Sequence, residues 1–288
     1  MAAAGRRGAM ALGLAAVLQW PSPAAGDAER PLWELGLGGA LLSVPYYRGS
    51  GSERVLPLPL VYPVYRGDFL KVDDEGVRGL FLDTGRVRVD VSADGTLPGS
   101  DDDIAARRGM PDLDPTFQLG PSLEVDLWRG RAPREQLVLT LPLRGVFALN
   151  RSLDHIGLAA SPKLTYYRGL ALGGRRWTLS VTGGVELGSN ELHDYFYEVE
   201  PRFATDARPA FDASGGYAGT RFTVGIRGRR GNQWIGAFVR YDNVSAAVFD
   251  RSPLVRSRGN FSAGIAVAWF VARSQRSVAV PPGEAPGR

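Results

Sequence analysis

Between residues 33 and 270 apolar and polar side chains alternate one by one, in segment after segment. In RVRVDVS, Val87, Val89 and Val91 share one parity, and Arg86, Arg88, Asp90 and Ser92 share the other. In FQLGPSLEVDLW, Phe117, Leu119, Leu123, Val125 and Leu127 oppose Gln118, Gly120, Ser122, Glu124 and Asp126. QLVLTLPLR sets Leu137, Leu139, Leu141 and Leu143 against Gln136, Thr140 and Arg144. WTLSVTGGVELG and NFSAGIAVAWF repeat the pattern. A period of two marks β-strands with two unlike faces. No comparable period of 3.6 follows the N-terminal region. Twelve strands are expected, starting near residues 33, 55, 69 or 77, 86, 116, 136, 156, 177, 194, 218, 233 and 260. The least defined stretches, 69–92 and 194–204, leave room for ten to fourteen.

A soluble β-sandwich also alternates, so strand length and the second face must discriminate. Sandwich strands average about 5–6 residues, whereas membrane-spanning strands need about 9–11, apolar outside and polar inside. The polar parity here carries Arg86, Arg88, Glu124, Asp126, Arg144, Lys163, Glu186, Arg221 and Arg227. Those charges do not suit a dry core. In hydrocarbon, strands satisfy their backbone only by closing into a barrel. The fold class expected is therefore all-β: a transmembrane, antiparallel, up-and-down β-barrel of about twelve strands. Its partner on the apolar face is outer-membrane lipid, and the nine charged residues above are expected to line the lumen.

One segment breaks the rules for strands. RVLPLPLVYPVYRGDF alternates Leu56, Leu58, Leu60, Tyr62 and Val64, yet Pro57, Pro59 and Pro63 fill the other parity. Proline has no backbone N–H to give to a ladder. Because one parity faces one neighbour, the three prolines weaken a single seam and spare the other. Their side chains are expected to face a watered lumen.

The N-terminus changes the picture of where the chain goes. Arg6 and Arg7 precede an apolar run from Ala9 to Trp20 and then small residues. That order is the layout of a secretory signal peptide, assigned to residues 1–26 in preference to a buried helix. The barrel is expected over 27–271, in the outer membrane of a Gram-negative cell. Phe270 is followed by the Pro- and Arg-rich VARSQRSVAVPPGEAPGR, so 272–288 is expected to be a disordered tail. There is no cysteine, so no disulfide staples the exported fold. The net charge is +4 and the basic residues are scattered, which does not suggest nucleic acid.

Barrels carry aromatic girdles at both interfaces. Trp33, Trp128, Trp177, Trp234 and Trp269 all fall near expected strand ends. With both termini periplasmic, Trp33, Trp234 and Trp269 belong to the periplasmic girdle and Trp128 and Trp177 to the outer one.

Candidate chemistry is thin. The two histidines, His155 and His193, each adjoin an aspartate, Asp154 and Asp194, in connections counted to the periplasmic rim. They read as turn residues rather than a catalytic or metal site. No GxSxG, HExxH or phosphate-loop motif occurs. No catalytic residue, metal ligand or cofactor is assigned, and an enzyme is not expected. The residues alone are compatible with a pore for small polar or anionic solutes, or with a surface adhesin whose outer connections are SVPYYRGSGSE and AVFDRSPLV.

GLGGALLSVPYYRGS, RVLPLPLVYPVYRGD, RGMPDLD, YFYEVEP, GGYAGTRF and VRYDNVSAAVFDRSPLV together resemble the MipA/OmpV family of outer-membrane proteins. The resemblance runs from about Trp33 to Phe270. It implies a non-enzymatic scaffold that links the outer membrane to murein remodelling, with a lytic transglycosylase and a murein synthase as partners. The longest connection, 92–116, is counted to the periplasmic side and contains MPDLD. On this resemblance Arg107, Arg108, Met110 and Leu113 are candidate contacts for a periplasmic cell-wall enzyme, apolar at the centre and charged at the rim.

Overall fold

A computed structural model describes residues 28–73, 76–96, 104–132 and 135–280. The segment expected to be a signal peptide lies outside them. The strands are β1 (Ala28–Pro31), β2 (Trp33–Pro45), β3 (Glu53–Arg66), β4 (Leu70–Asp73), β5 (Gly76–Asp83), β6 (Val87–Thr96), β7 (Thr116–Arg129) and β8 (Gln136–Ala148). They continue as β9 (Asp154–Ala160), β10 (Lys163–Leu172), β11 (Arg175–Gly188), β12 (Gly216–Arg230), β13 (Gln233–Asn243), β14 (Gly259–Arg273) and β15 (Ser277–Val280). One α-helix, α1 (Asn190–Tyr197), stands between β11 and β12.

From β2 to β14 every neighbour is antiparallel. β9 and β10 are two halves of one strand, both lying between β8 and β11 and interrupted at Ser161–Pro162. Counted so, the sheet is a closed barrel of twelve strands. Its outer face exposes Leu37, Leu41, Val61, Leu119, Leu143, Phe222, Val239, Phe261 and Ile265. A soluble protein rarely shows so extended an apolar surface; lipid is the solvent that suits it. No helix among the described residues is long and apolar enough to cross a membrane.

Sequence explains most of the hairpins. Gly173 and Gly174 form a two-residue connection with φ of 60° and 68°. Left-handed values at both central residues match the twist of the flanking strands, and glycine adopts them without strain. The other connections at that end, 67–69, 84–86 and 231–232, are nearly as short. The long ones, 97–115, 189–215 and 244–258, all emerge at the opposite end. Both described chain ends lie on the short-turn side.

Two strand assignments are corrected. The stretch 69–92 holds the short hairpin β4–β5 as well as β6, one strand more than counted. The strand expected near residue 194 is instead α1. Ser189 caps that helix by accepting from the Leu192 N–H, and Glu191 sits favourably in its first turn. The total stays at twelve, but every strand between β5 and α1 runs opposite to the expected direction. The connection 92–116, His155 and His193 therefore belong to the rim away from the termini. Trp128 and Trp177 move to the terminus-side rim, joining Trp33, Trp234 and Trp269 there.

The tail is also corrected in part. β14 continues to Arg273, and β15 pairs with β1 from Ala28↔Val280 to Pro31↔Ser277. Leu32 N–H donates to Arg276 O at 2.8 Å and Ser274 N–H to Trp33 O at 2.9 Å. A small second sheet thus ties the two ends of the chain together beside the barrel mouth.

The proline strand shows the expected seam with the opposite facing. β3 pairs with β2 along thirteen residues, including Leu41↔Pro57, Gly39↔Pro59 and Leu35↔Pro63. An unbroken ladder through those pairs requires the even residues to donate to β2. The donor-less parity therefore faces β4, where only Tyr65↔Val72 and Arg66↔Lys71 pair. Pro57, Pro59 and Pro63 are exposed with Val55 and Val61 on the outer face. The expectation that they face the lumen is wrong. Cross-strand partners share a face, and Leu37 and Leu41 opposite are exposed outward. The inner face of β2 presents Gly36, Gly38 and Ala40, which leaves room inside for Tyr62, Leu60 and Leu58 opposite them.

Candidate functional site

The inner face begins with charge. Arg88 Nη2 donates to Glu124 Oε2 at 2.7 Å. Arg144 donates to Ser92 Oγ at 2.9 Å and stands 3.6 Å from Asp94. Arg221 bridges Glu186 at 3.2 Å and Asp242 at 2.8 Å, and Arg48 reaches the same Asp242 oxygen at 3.1 Å. Lys163 lies opposite Thr140 and Gly184 on the inner parity. The Arg227 guanidinium lies 5.8 Å from the Tyr167 ring centroid. Asp126 is buried and paired with Arg129. Arg86 departs from the expected set: it is exposed in the turn between β5 and β6, just before β6 begins at Val87.

Glu34, Arg66, Asp73, Arg78, Arg229 and Asp242 stand outside the alternating charges named above, yet they sit among them, as does Asp90. Glu34 is 4% exposed and accepts from Arg66 Nη2 at 2.7 Å and from both terminal nitrogens of Arg229. Asp73 pairs with Arg78. The missed signal was parity: Glu34 and Arg66 share the period of their own strands, but flanking apolar residues hide it. Glu34 is the sole carboxylate of β2.

The connections at the far rim pack together into a cap. Tyr47, Ile104, Leu113, Tyr197, Val199, Val244, Phe249 and Leu254 form one buried apolar cluster contributed by four connections. Tyr197 stacks on Phe249 with centroids 3.6 Å apart. Tyr197 Oη donates to Arg48 O at 2.9 Å, Ser252 Oγ to Tyr197 O at 2.7 Å, and Tyr47 Oη to Leu254 O at 2.7 Å. These bonds satisfy polar groups that the apolar packing would otherwise leave stranded. Burial raises the Tyr195 hydroxyl pKa above its ordinary value.

His193 is part of that packing, 3% exposed and edge-on to Phe249. Its Nδ1 lies 2.7 Å from Ser214 O, so Nδ1 carries the proton and donates. Burial lowers its pKa below the ordinary histidine value. Asp194 is shifted the other way, first by burial and then by Asp212. His155, by contrast, is exposed at the start of β9. Among the described residues no group of three His, Asp or Glu could hold a metal.

The docking residues read from 92–116 are corrected by the same cap. Arg107 is 4% exposed, donating to Phe196 O and Pro111 O, and Leu113 is 4% exposed inside the apolar cluster. Met110 packs against it and only Arg108 is exposed. Apolar residues that a partner was expected to cover are covered by the chain itself.

The tryptophans divide by face. Trp33, Trp128 and Trp269 are exposed on the outer surface. Trp177 has the outward parity beside them. Trp234 points inward, stacked on Tyr62 at 4.6 Å. It lies opposite Ala268, which is fully buried, so it is not an interface residue.

The terminus-side mouth is open and basic. A cavity of about 290 Å³ is lined by Arg30, Glu34, Arg176, Arg227, Arg229, Trp234 and Arg273, among others. The sequence over residues 37–271, almost the whole barrel, matches the model of the family described as MltA-interacting protein MipA. The chain belongs to the MipA family. It is an outer-membrane β-barrel protein. No curated protein matches it. A solved bacterial polysaccharide outer membrane secretin overlays with a TM-score of 0.42 at 9% identity, covering 84% of this chain and 99% of that one. The MipA match stops short of β1 and β15, so the small sheet that carries Arg30 stands outside it.

Proposed function

We propose that the protein is a non-enzymatic scaffold of the outer membrane that holds a murein lytic transglycosylase, and with it a murein synthase, at its terminus-side face. The observation that carries this reading is membership of a family named for interaction with MltA. Two features support it. Connections at the rim away from the termini are bound into one apolar core, an arrangement suited to a static body. In outer-membrane barrels the short turns face the periplasm, and here that is the rim with the termini and the basic mouth. The test is co-purification. Crosslinked protein from intact envelopes should bring down a membrane-bound lytic transglycosylase, and the purified pair should bind directly. Failure of direct binding, with the barrel folded, would end the scaffold reading.

A porin-like channel for anionic solutes is the second reading, favoured by the arginines of the mouth. Steady conductance in planar bilayers would support it against the scaffold. The adhesin reading has less support, since much of the connection around AVFDRSPLV is buried in the cap.

A further inference from the structure

We propose that the cavity at the terminus-side mouth binds a phosphate or diphosphate group. Five arginines and a single carboxylate line it. That carboxylate, Glu34, is already engaged by Arg229 from within the cavity and by Arg66 from beside it. The side chains of Arg30, Arg176 and Arg273 make no hydrogen bond or ion pair among the described residues. They come from three elements, β1, β11 and β14, and converge on one space.

The chemistry of that space selects the ligand. A guanidinium offers a planar fork of donors that matches carboxylate and phosphate oxygens. A carboxylate presents two oxygens in one plane and is satisfied by one or two forks. Three further forks arriving from different directions suit a tetrahedral group with more oxygens and more charge. Burial, followed by the neighbouring Arg66, Arg229 and Arg176, lowers the Arg30 pKa from its ordinary value. Like charges gathered without a counter-ion repel one another, and an anion in their midst relieves that. The volume is at the small end of ligand pockets, about 300–1,000 Å³. Trp234 forms part of the wall, giving the organic portion of a small phosphoester an aromatic surface.

The tail acquires a role in this site. Arg30 is held over the mouth by pairing with Val278, within the β1–β15 sheet. Residues beyond the last barrel strand thus position one of the anion donors.

The group could belong to a soluble phosphoester or to a lipid headgroup, and the test separates them. Purified full chain in uncharged detergent is titrated calorimetrically with inorganic pyrophosphate, and with acetate at matched ionic strength. The same chain in nanodiscs is compared with and without phosphatidylglycerol. Saturable pyrophosphate binding is expected, at least tenfold tighter than acetate. Arg30→Gln combined with Arg176→Gln should weaken it tenfold or more, as should truncation after Arg273. Arg151→Gln, at the far rim, should leave it unchanged. Heat-modifiable migration on gels checks that each variant is folded, and Arg273→Gln, an exposed change, serves if the double variant does not fold. If phosphatidylglycerol abolishes pyrophosphate binding, the headgroup is the source; if not, the soluble ester is. Pyrophosphate no tighter than acetate, or equal binding by the folded mouth variant, overturns the proposal.

Discussion

Glu34 and Arg229 lie 195 residues apart and share two hydrogen bonds, of 2.8 and 2.6 Å. Arg66 completes the cluster on the other side of the carboxylate at 2.7 Å. The pair ties the first barrel strand to β12 across the mouth. Removing one partner of a buried ion pair costs about 3–5 kcal/mol, because the other charge remains without compensation. Glu34→Gln should therefore lower the temperature at which the barrel loses its compact, fast-migrating form on gels. Arg66→Gln, which leaves Glu34 its two bonds to Arg229, should cost less. Equal losses would mean that Glu34 is not the hub.

The two faces of β8 should respond differently to charge. Leu139 is outward, three residues in from the start of β8, opposite Val125 and Leu164. An arginine on the lipid face costs about 2–4 kcal/mol at mid-bilayer and less toward the interface, so the penalty at Leu139 lies below that maximum. Leu139→Arg should reduce the folded fraction after refolding into vesicles, whereas Arg144→Leu, on the inner face beside Ser92, should refold near normally. A reversal of that order would invert the assignment of faces.

Orientation can be read with single cysteines, because the chain has none of its own. Arg151→Cys, in the connection between β8 and β9, should react with an impermeant maleimide on intact cells. Gly231→Cys does not serve as its counterpart, since Gly231 needs a left-handed φ of 56°; Asn232→Cys beside it does. Asn232→Cys should react only after the outer membrane is opened. Labelling with the opposite preference would place the cap in the periplasm.

The cap should loosen in acid. The His193 pKa is lowered by burial, so in the window between its folded and ordinary values the unfolded chain binds the extra proton. Stability contributed by neutral His193 is present above about pH 6.5 and is lost as pH falls through that window. Asp194 has a raised pKa and acts with the opposite sign, its contribution fading as pH rises from about 3.8 through its shifted value. Between pH 7.5 and 5.5 histidine should dominate. Proteolysis within residues 189–258 should speed up at the lower pH in the native chain and lose that dependence in His193→Gln. A pH-independent rate in the native chain would remove the histidine from this role.

Alternation in the sequence determined the barrel. Leu137 to Leu143 against Thr140 and Arg144 cannot bury both faces in one solvent, so the choice between lipid and lumen is made residue by residue. The same local physics determined the Gly173–Gly174 turn and the one-sided seam of β3, because a missing N–H acts on one neighbour whatever lies around it. Direction around the ring was not local. One additional short strand, β4, inverts the strands that follow until α1 replaces an expected strand and restores the direction, and Leu70–Asp73 is too brief for its periodicity to be distinguished from a turn. Ser189–Asn190–Glu191 does carry a helix-start signal, but the aromatic residues after it read equally as strand.

Only the tertiary structure decided which face the prolines take, because that depends on Gly36, Gly38 and Ala40 across the ladder making room inside for Tyr62, Leu60 and Leu58 of β3. Only it placed Arg107 and Leu113 inside a cap rather than on a docking surface, since the residues that bury them lie some ninety to a hundred and forty positions further along the chain, at Phe196 and Leu254. And only it assembled the basic mouth. Arg30, Arg176 and Arg273 are scattered in sequence; closing the barrel brings β11 and β14 to one rim, and the β1–β15 pairing adds Arg30 to it, where their charges meet.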